Sequence, residues 1–109
     1  HNPFCARKCP YCDFYSVVRS SCIEEFYKAA VRETELLAAA IDDKVGTNPD
    51  TDPEGKDTVY FGGGTPSLPD SRMITELLGS VRKNLNVSSE SEITIEVNPS
   101  SVTQEKLQD

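Results

Sequence analysis

Three cysteines fall within eight residues, Cys5-Ala6-Arg7-Lys8-Cys9-Pro10-Tyr11-Cys12, and a fourth, Cys22, follows ten residues later. Disulfide frameworks spread cysteines along a chain to close loops; this C-x3-C-x2-C spacing crowds them together. Crowded thiols suit one inorganic centre in a compartment where they stay reduced. Two centres compete. Structural zinc takes four ligands, commonly as two separated pairs, and would recruit Cys22. Three thiolates instead suit a [4Fe–4S] cluster with one iron free of protein ligands and open to a substrate or cofactor. The spacing favours iron–sulfur, with zinc or reactive thiols as the alternatives. Cys22, at the start of a helical pattern, reads as a packed helical cysteine.

Two further groups could do chemistry. Gly62-Gly63-Gly64-Thr65 follows a short apolar run. Glycines permit positive φ and close approach of a ligand to the backbone, so exposed amides and carbonyls there can hold a small zwitterion by its amino and carboxylate groups. A plain strand-to-helix turn is the simpler alternative. The G-K-[ST] ending of a phosphate-binding P-loop is absent. Glu96 stands among Ile93, Ile95 and Val97 on a strand expected to be largely buried, where a carboxylate needs a partner. A hydroxyl or ammonium of a ligand would serve, as would a lysine or arginine from elsewhere.

The elements that must position these groups follow from periodicity. Ser21-Cys22-Ile23-Glu24 has the form of a capping box, and Ile23, Phe26, Tyr27, Ala30, Val31, Leu37, Ala38 and Ile41 then recur at helical spacing. Residues 42–57 are polar and rich in proline and glycine, as in a solvated loop. Thr58–Phe61 reads as a short buried strand. A helix starting near Pro69 or Asp70 presents Met73, Ile74, Leu77, Leu78, Val81 and Leu85. Glu92–Val97 alternates as a strand ending at Asn98-Pro99, and Thr103 or a neighbour caps a third helix. This alternation is that of a parallel α/β fold, in which chemistry gathers at the carboxyl ends of strands. The glycines follow one strand, Glu96 ends the next, and the cysteine loop lies where the loop after a preceding strand would be.

Composition narrows the class. The 109 residues carry 18 acidic and 11 basic side chains, a net charge of −7, with 37% hydrophobic residues, which excludes a disordered tail. An acidic balance argues against nucleic acid. The longest apolar stretch, Leu36–Ile41, is far short of the ~20 residues needed to span a membrane. Starting at His1 and ending at Asp109 inside the opening of a helix, the chain reads as a piece of a longer protein. Two strands and two full helices would leave a sheet edge and apolar helix faces uncovered.

C-x3-C-x2-C followed by Asp13-Phe14, GGGTPS at 62–67 and EVNP at 96–99 together resemble the radical S-adenosylmethionine (radical SAM) superfamily. Within it the chain is similar to the group containing oxygen-independent coproporphyrinogen III oxidase and the HemW-type haem chaperones. The resemblance implies the N-terminal part of a radical SAM (β/α) partial TIM barrel, with parallel strands and crossover helices. Residues 1–109 would be a partial core domain lacking the first strand, the later barrel and a C-terminal domain. It implies Cys5, Cys9 and Cys12 as ligands of a [4Fe–4S] cluster whose fourth iron chelates S-adenosylmethionine. Tyr11 would lie by the adenine. Gly63, Gly64 and Thr65 would hold the methionine end, with Gly62 shaping the turn, and Glu96 would contact the same cofactor. Reductive cleavage of that cofactor to a hydrogen-abstracting radical is the implied chemistry.

The group divides by function. Its oxidases carry a further cysteine two positions after the third ligand, where this chain has Phe14. Phe14, T-P-S and E-x-N-P resemble the chaperone branch, whose members bind haem and pass it to target proteins such as respiratory enzymes. The alternative is oxidative decarboxylation of coproporphyrinogen III; a non-catalytic zinc or redox-thiol module is the alternative of another class. The implied partners are haem or a porphyrinogen, a haem-accepting protein, and an electron donor such as a flavodoxin or ferredoxin. The implied setting is the cytoplasm, or an organelle for a eukaryotic source. The branch's haem motif, His-Asn-x-x-Tyr, is not completed by His1-Asn2, which Pro3-Phe4-Cys5 follow. Asn2 stands where the family usually has an apolar residue. Arg7 and Lys8 read as solvated charges.

Overall fold

The computed structural model describes residues 1–42 and 58–108. The polar stretch 42–57, apart from Asp42, lies outside them. A 3-10 turn, Ser20–Cys22, leads into helix α1 (Ile23–Asp42), followed by strand β1 (Thr58–Phe61), helix α2 (Ser71–Asn84), strand β2 (Glu92–Ile95) and a second 3-10 turn, Pro99–Ser101. The strands pair in parallel with Thr58 opposite Glu92 and Phe61 opposite Ile95. Parallel neighbours need a crossover, and α2 supplies it. This is the small α/β arrangement expected of part of a β/α barrel.

A third extended segment completes the local sheet. The Asn2 N–H donates to Gly62 O at 2.7 Å, and the amides of Gly64 and Thr65 donate to Asn2 O and Phe4 O at 2.6 and 2.8 Å. Phe61 O accepts from the Glu96 N–H at 3.0 Å. The consecutive carbonyls of Phe61 and Gly62 thus serve β2 and the N-terminal segment, so β1 lies between them. Residues 2–4 therefore run as an extended segment beside β1, leading into the cysteine loop.

Local chemistry accounts for the element ends. Asp70 caps α2 by accepting the Arg72 N–H at 3.0 Å, and the Arg72 guanidinium holds its carboxyl below the ordinary value. Asn86, at φ 54°, takes the left-handed position that commonly follows a helix. Thr103 Oγ1 accepts the Lys106 N–H at 3.2 Å, as a cap would, and its carbonyl accepts from Leu107, but residues 104–108 form turns and not the third helix expected there. The capping box at α1 does not form. The Ser21 hydroxyl pairs with Cys22 Sγ at 3.9 Å, and the Glu24 carboxylate turns to Lys28 one helical turn on, at 2.6 Å.

Phe4, which leads into the cysteine loop, belongs to a small buried set. Phe4 and Tyr27 are buried, as are Pro66 and Pro69. Phe4 meets Phe26 of α1 edge-on, with ring centroids 5.3 Å apart at 85°, and Phe26 meets Tyr27 similarly at 5.7 Å. Burying a phenylalanine contributes ~1.5–3 kcal/mol, and an edge-to-face pair about 0.5–1.5 kcal/mol more. The residue just before Cys5 is therefore keyed into a helix. Where α1 and α2 meet, Thr34 Oγ1 and Ser80 Oγ lie 2.6 Å apart, and Asn84 Nδ2 donates to both.

Burial departs from expectation in three places. Thr58–Phe61 forms a strand but not a buried one: Thr58 and Tyr60 are exposed and Val59 and Phe61 half-buried, because no helix among the described residues packs closely on β1. Leu37 and Ile41 of α1 are both 46% exposed, because α1 has 20 residues against the 14 of α2 and its last turns outrun their partner. Ile95 and Val97, expected inside, are 37% and 44% exposed because β2 has no neighbour on its far edge among the described residues. No helix of these residues is long and apolar enough to cross a membrane.

Candidate functional site

Three loops leave the carboxyl ends of three neighbouring extended segments. The cysteine loop follows Phe4, the glycine loop follows Phe61 of β1, and Glu96 follows Ile95 of β2. Because β1 is central, the glycine loop lies between the other two and touches both.

The cysteine loop is an excursion with fastened ends. The Val17 N–H donates to Pro3 O at 2.8 Å and the Cys5 N–H to Val17 O at 3.1 Å, so chain entry and exit run side by side. The Cys12 N–H donates to Cys9 O at 3.1 Å, forming a tight turn through Pro10 and Tyr11. Lys8, expected to be merely a solvated charge, also braces the loop. Its ammonium donates to Phe14 O at 2.6 Å and to Ser16 Oγ at 3.2 Å while remaining exposed. All four cysteines are free and half-buried. Tyr11 is 87% exposed. Its hydrogen bond with Cys9, together with the neighbouring thiol charges, pushes the phenol above its ordinary value.

The glycines are sites of close approach. Gly63 has φ +122°, a conformation L side chains rarely adopt, and a Cβ there would collide with Asn2 O and lie 2.9 Å from Asn2 N. At Gly64 a Cβ would lie 2.8 Å from Phe4 O and 2.9 Å from Cys5 Sγ. The Thr65 hydroxyl donates to Cys5 Sγ at 3.5 Å. On the other flank the Gly63 N–H donates to Glu96 Oε2 at 3.1 Å, and the Tyr60 phenol donates to Glu96 Oε1 at 2.6 Å. Glu96 is therefore exposed and held by β1 and its loop, not buried as its apolar neighbours suggest.

Several supporting residues escape a reading of the sequence. The buried Asn2 amide donates to Phe4 O at 3.2 Å and Thr65 O at 2.9 Å, stitching the start of the cysteine loop to the glycine loop. In sequence Asn2 stands out only as a polar residue at an apolar position, and that polarity is the signal. Ser67 is buried, lies 2.6 Å from Ser101 Oγ, and accepts the Asn98 N–H at 3.1 Å, tying the glycine loop to the turn after Glu96. Lys106 Nζ donates to the carbonyls of Ser67 (2.7 Å), Leu68 and Pro69. Tyr60 gives no signal beyond an aromatic residue two positions before Gly62.

The donor set fits a thiolate-bound metal cluster in chemistry and setting. Three free thiols lie on one closed loop, the Thr65 hydroxyl donates to Cys5, and Gly64 leaves Cys5 Sγ its space. The three thiols do not stand as a ready-made set, for no group of three metal-ligating side chains is gathered among the described residues. Metal binding commonly supplies that ordering itself. Cys22 sits at the junction of the first 3-10 turn and α1, ten residues past Cys12.

Comparison with known proteins agrees with this arrangement. The chain is 35% identical over 104 residues to a protein named heme chaperone HemW from Buchnera aphidicola subsp. Schizaphis graminum, a match covering 94% of the chain and 25% of that protein. It is 33% identical over 111 residues to heme chaperone HemW of Escherichia coli, covering 100% and 27%. Against the mitochondrial radical S-adenosyl methionine domain-containing protein 1 of Danio rerio it is 34% identical over 110 residues, covering 100% and 22%. The chain thus spans about a quarter of the length of these relatives. No solved structure matches it. The family model of the radical SAM superfamily matches residues 1–109, and the chain belongs to that superfamily.

Proposed function

We propose that this chain carries cofactor-binding residues of a radical SAM protein of haem metabolism, and that the intact protein is a haem chaperone of the HemW kind. One observation supports the reading above others: the glycine loop contacts Cys5 on one flank and Glu96 on the other, at the carboxyl ends of parallel segments. In this reading Cys5, Cys9 and Cys12 hold a [4Fe–4S] cluster. When bound, the cluster supplies an electron for reductive cleavage of S-adenosylmethionine. The protein's share is binding and orientation. Thr65 donates toward the sulfur of one cluster ligand. Gly63 and Gly64 keep side chains away so that the methionine end of the cofactor can approach the backbone. Glu96 presents an acceptor for an ammonium or hydroxyl, and Tyr11, exposed between two ligands, offers a flat apolar face to the adenine. Haem binding and delivery rest on the names of the relatives and on Phe14 in place of the oxidases' further cysteine.

The test uses the intact protein, reconstituted anaerobically with iron and sulfide. S-adenosylmethionine, a reductant and coproporphyrinogen III are supplied, with an authentic oxidase alongside. The expected result is 5′-deoxyadenosine without protoporphyrinogen, together with haem binding and its transfer to a haem-free acceptor. Protoporphyrinogen formed over many turnovers would make the protein an oxidase. Bound zinc in place of iron and sulfide would overturn the radical reading.

A further inference from the structure

Tyr60 and Glu96 stand at neighbouring strand ends and touch. Tyr60 precedes Gly62 by two residues, so both face the same side of the extended chain. A Cβ at Gly62 would lie 2.6 Å from ring atom Cε1 of Tyr60 and 3.1 Å from Cδ1. The first glycine of the loop therefore leaves the space that the Tyr60 ring occupies. From there the phenol reaches Glu96 Oε1 at 2.6 Å, while the Gly63 N–H reaches Oε2 at 3.1 Å. An ionised carboxylate offers about four acceptor positions. Two are filled, one on each oxygen, and both fillers come from the β1 side.

We propose that Tyr60 is a positioning residue for Glu96: with the Gly63 amide it fixes the carboxylate so that one acceptor position on each oxygen serves two donors of a single ligand, an ammonium or a hydroxyl pair. This rests on the reading of Glu96 as a contact for S-adenosylmethionine, which carries both kinds of donor. Tyr60 is 61% exposed, so no other side chain among the described residues covers the pair. The hydrogen bond to Glu96, followed by desolvation and the carboxylate's charge, raises the phenol above its ordinary 10.0, so it remains a donor at neutral pH. Phenylalanine would fill the same space and leave Oε1 without its donor.

The experiment uses the intact reconstituted protein with S-adenosylmethionine as the probe, in equilibrium dialysis without reductant. Tyr60→Phe is expected to weaken binding about threefold to tenfold, the usual effect of one lost hydrogen bond. Glu96→Gln weakens it more, and the double variant binds no worse than Glu96→Gln alone, because the two side chains act as one unit. A ligand-free NMR titration with ring-labelled tyrosine reads the pair directly: the Tyr60 phenol ionises at lower pH in Glu96→Gln than in the wild type. Wild-type-like binding by Tyr60→Phe, additive losses in the double variant, or an unmoved Tyr60 titration would each overturn the inference while leaving the cofactor reading intact. A wild type that carries its cluster and fails to bind S-adenosylmethionine overturns both.

Discussion

The Thr65 hydroxyl donates to Cys5 Sγ at 3.5 Å across 60 residues of sequence. That contact joins the glycine loop to the first residue of the cysteine cluster. Hydrogen bonds to ligand sulfur favour the more negative, reduced state of an iron–sulfur cluster and raise its potential. Thr65→Val keeps the shape and removes the donor. A bond worth ~0.5–1.5 kcal/mol corresponds to about 20–60 mV for one electron. The potential of the variant should fall by up to that amount in a redox titration followed by electron paramagnetic resonance.

The four cysteines separate the competing metals. Serine at Cys5, Cys9 or Cys12 should each strip most of the iron and sulfide from the purified intact protein. Cys22→Ser should retain them, since Cys22 sits where α1 begins and not on the closed loop. Elemental analysis after anaerobic purification reads all four variants. Loss of metal on changing Cys22 would favour a four-thiolate zinc site.

Three glycine-to-alanine variants should differ in sign. At Gly63 the added methyl meets a positive φ and the Asn2 backbone, and at Gly64 it presses on Phe4 O and Cys5 Sγ. Each should cost roughly 1–3 kcal/mol. Gly79 is exposed on α2 with nothing within 4 Å of the added methyl. There alanine should stabilise by about 0.5–1 kcal/mol. Denaturant unfolding of the intact protein measures all three.

Asp70 supplies a pH-dependent contribution of known sign. Its side-chain and backbone hydrogen bonds with Arg72 lower its carboxyl from the ordinary 3.8. A group whose folded value is depressed stabilises fully above its unfolded value, and that contribution is lost as pH falls through the folded value. Asp70→Asn keeps a capping oxygen but removes the charge. Wild type should melt above the variant at pH 7, with the gap closing below 3.8; a gap independent of pH would show that the charge is irrelevant.

Much of the framework is legible in the sequence because its signals are local. Thr58–Phe61 forms the strand its β-branched and aromatic residues suggest, and Asp70 caps α2 next to the expected start. The grouping of the cysteine loop, glycine loop and Glu96 follows from strand ends in a parallel fold. What escapes depends on neighbours. Glu24 suits a capping box, yet Lys28 lies one turn away and takes its carboxylate. Ile95 and Val97 look like core residues, but burial requires an element to cover them. Asn2 and Tyr60 show their polarity in the sequence; which carbonyl or carboxylate each would meet depends on two parallel segments lying side by side.

The seam joining residues 2–5 to residues 62–65 also sets an order of events. Its bonds close a loop of about sixty residues, so they form after the local turns of α1 and after loop-closure entropy has been overcome. During synthesis the cysteines leave the ribosome well before Gly64 and Thr65. For that interval the thiols have neither the Thr65 hydroxyl nor the glycine wall beside them, and they face oxidants and stray metal ions unshielded. In the proposed reading, the surroundings of the cluster loop are complete only once β1 and the glycine loop have arrived.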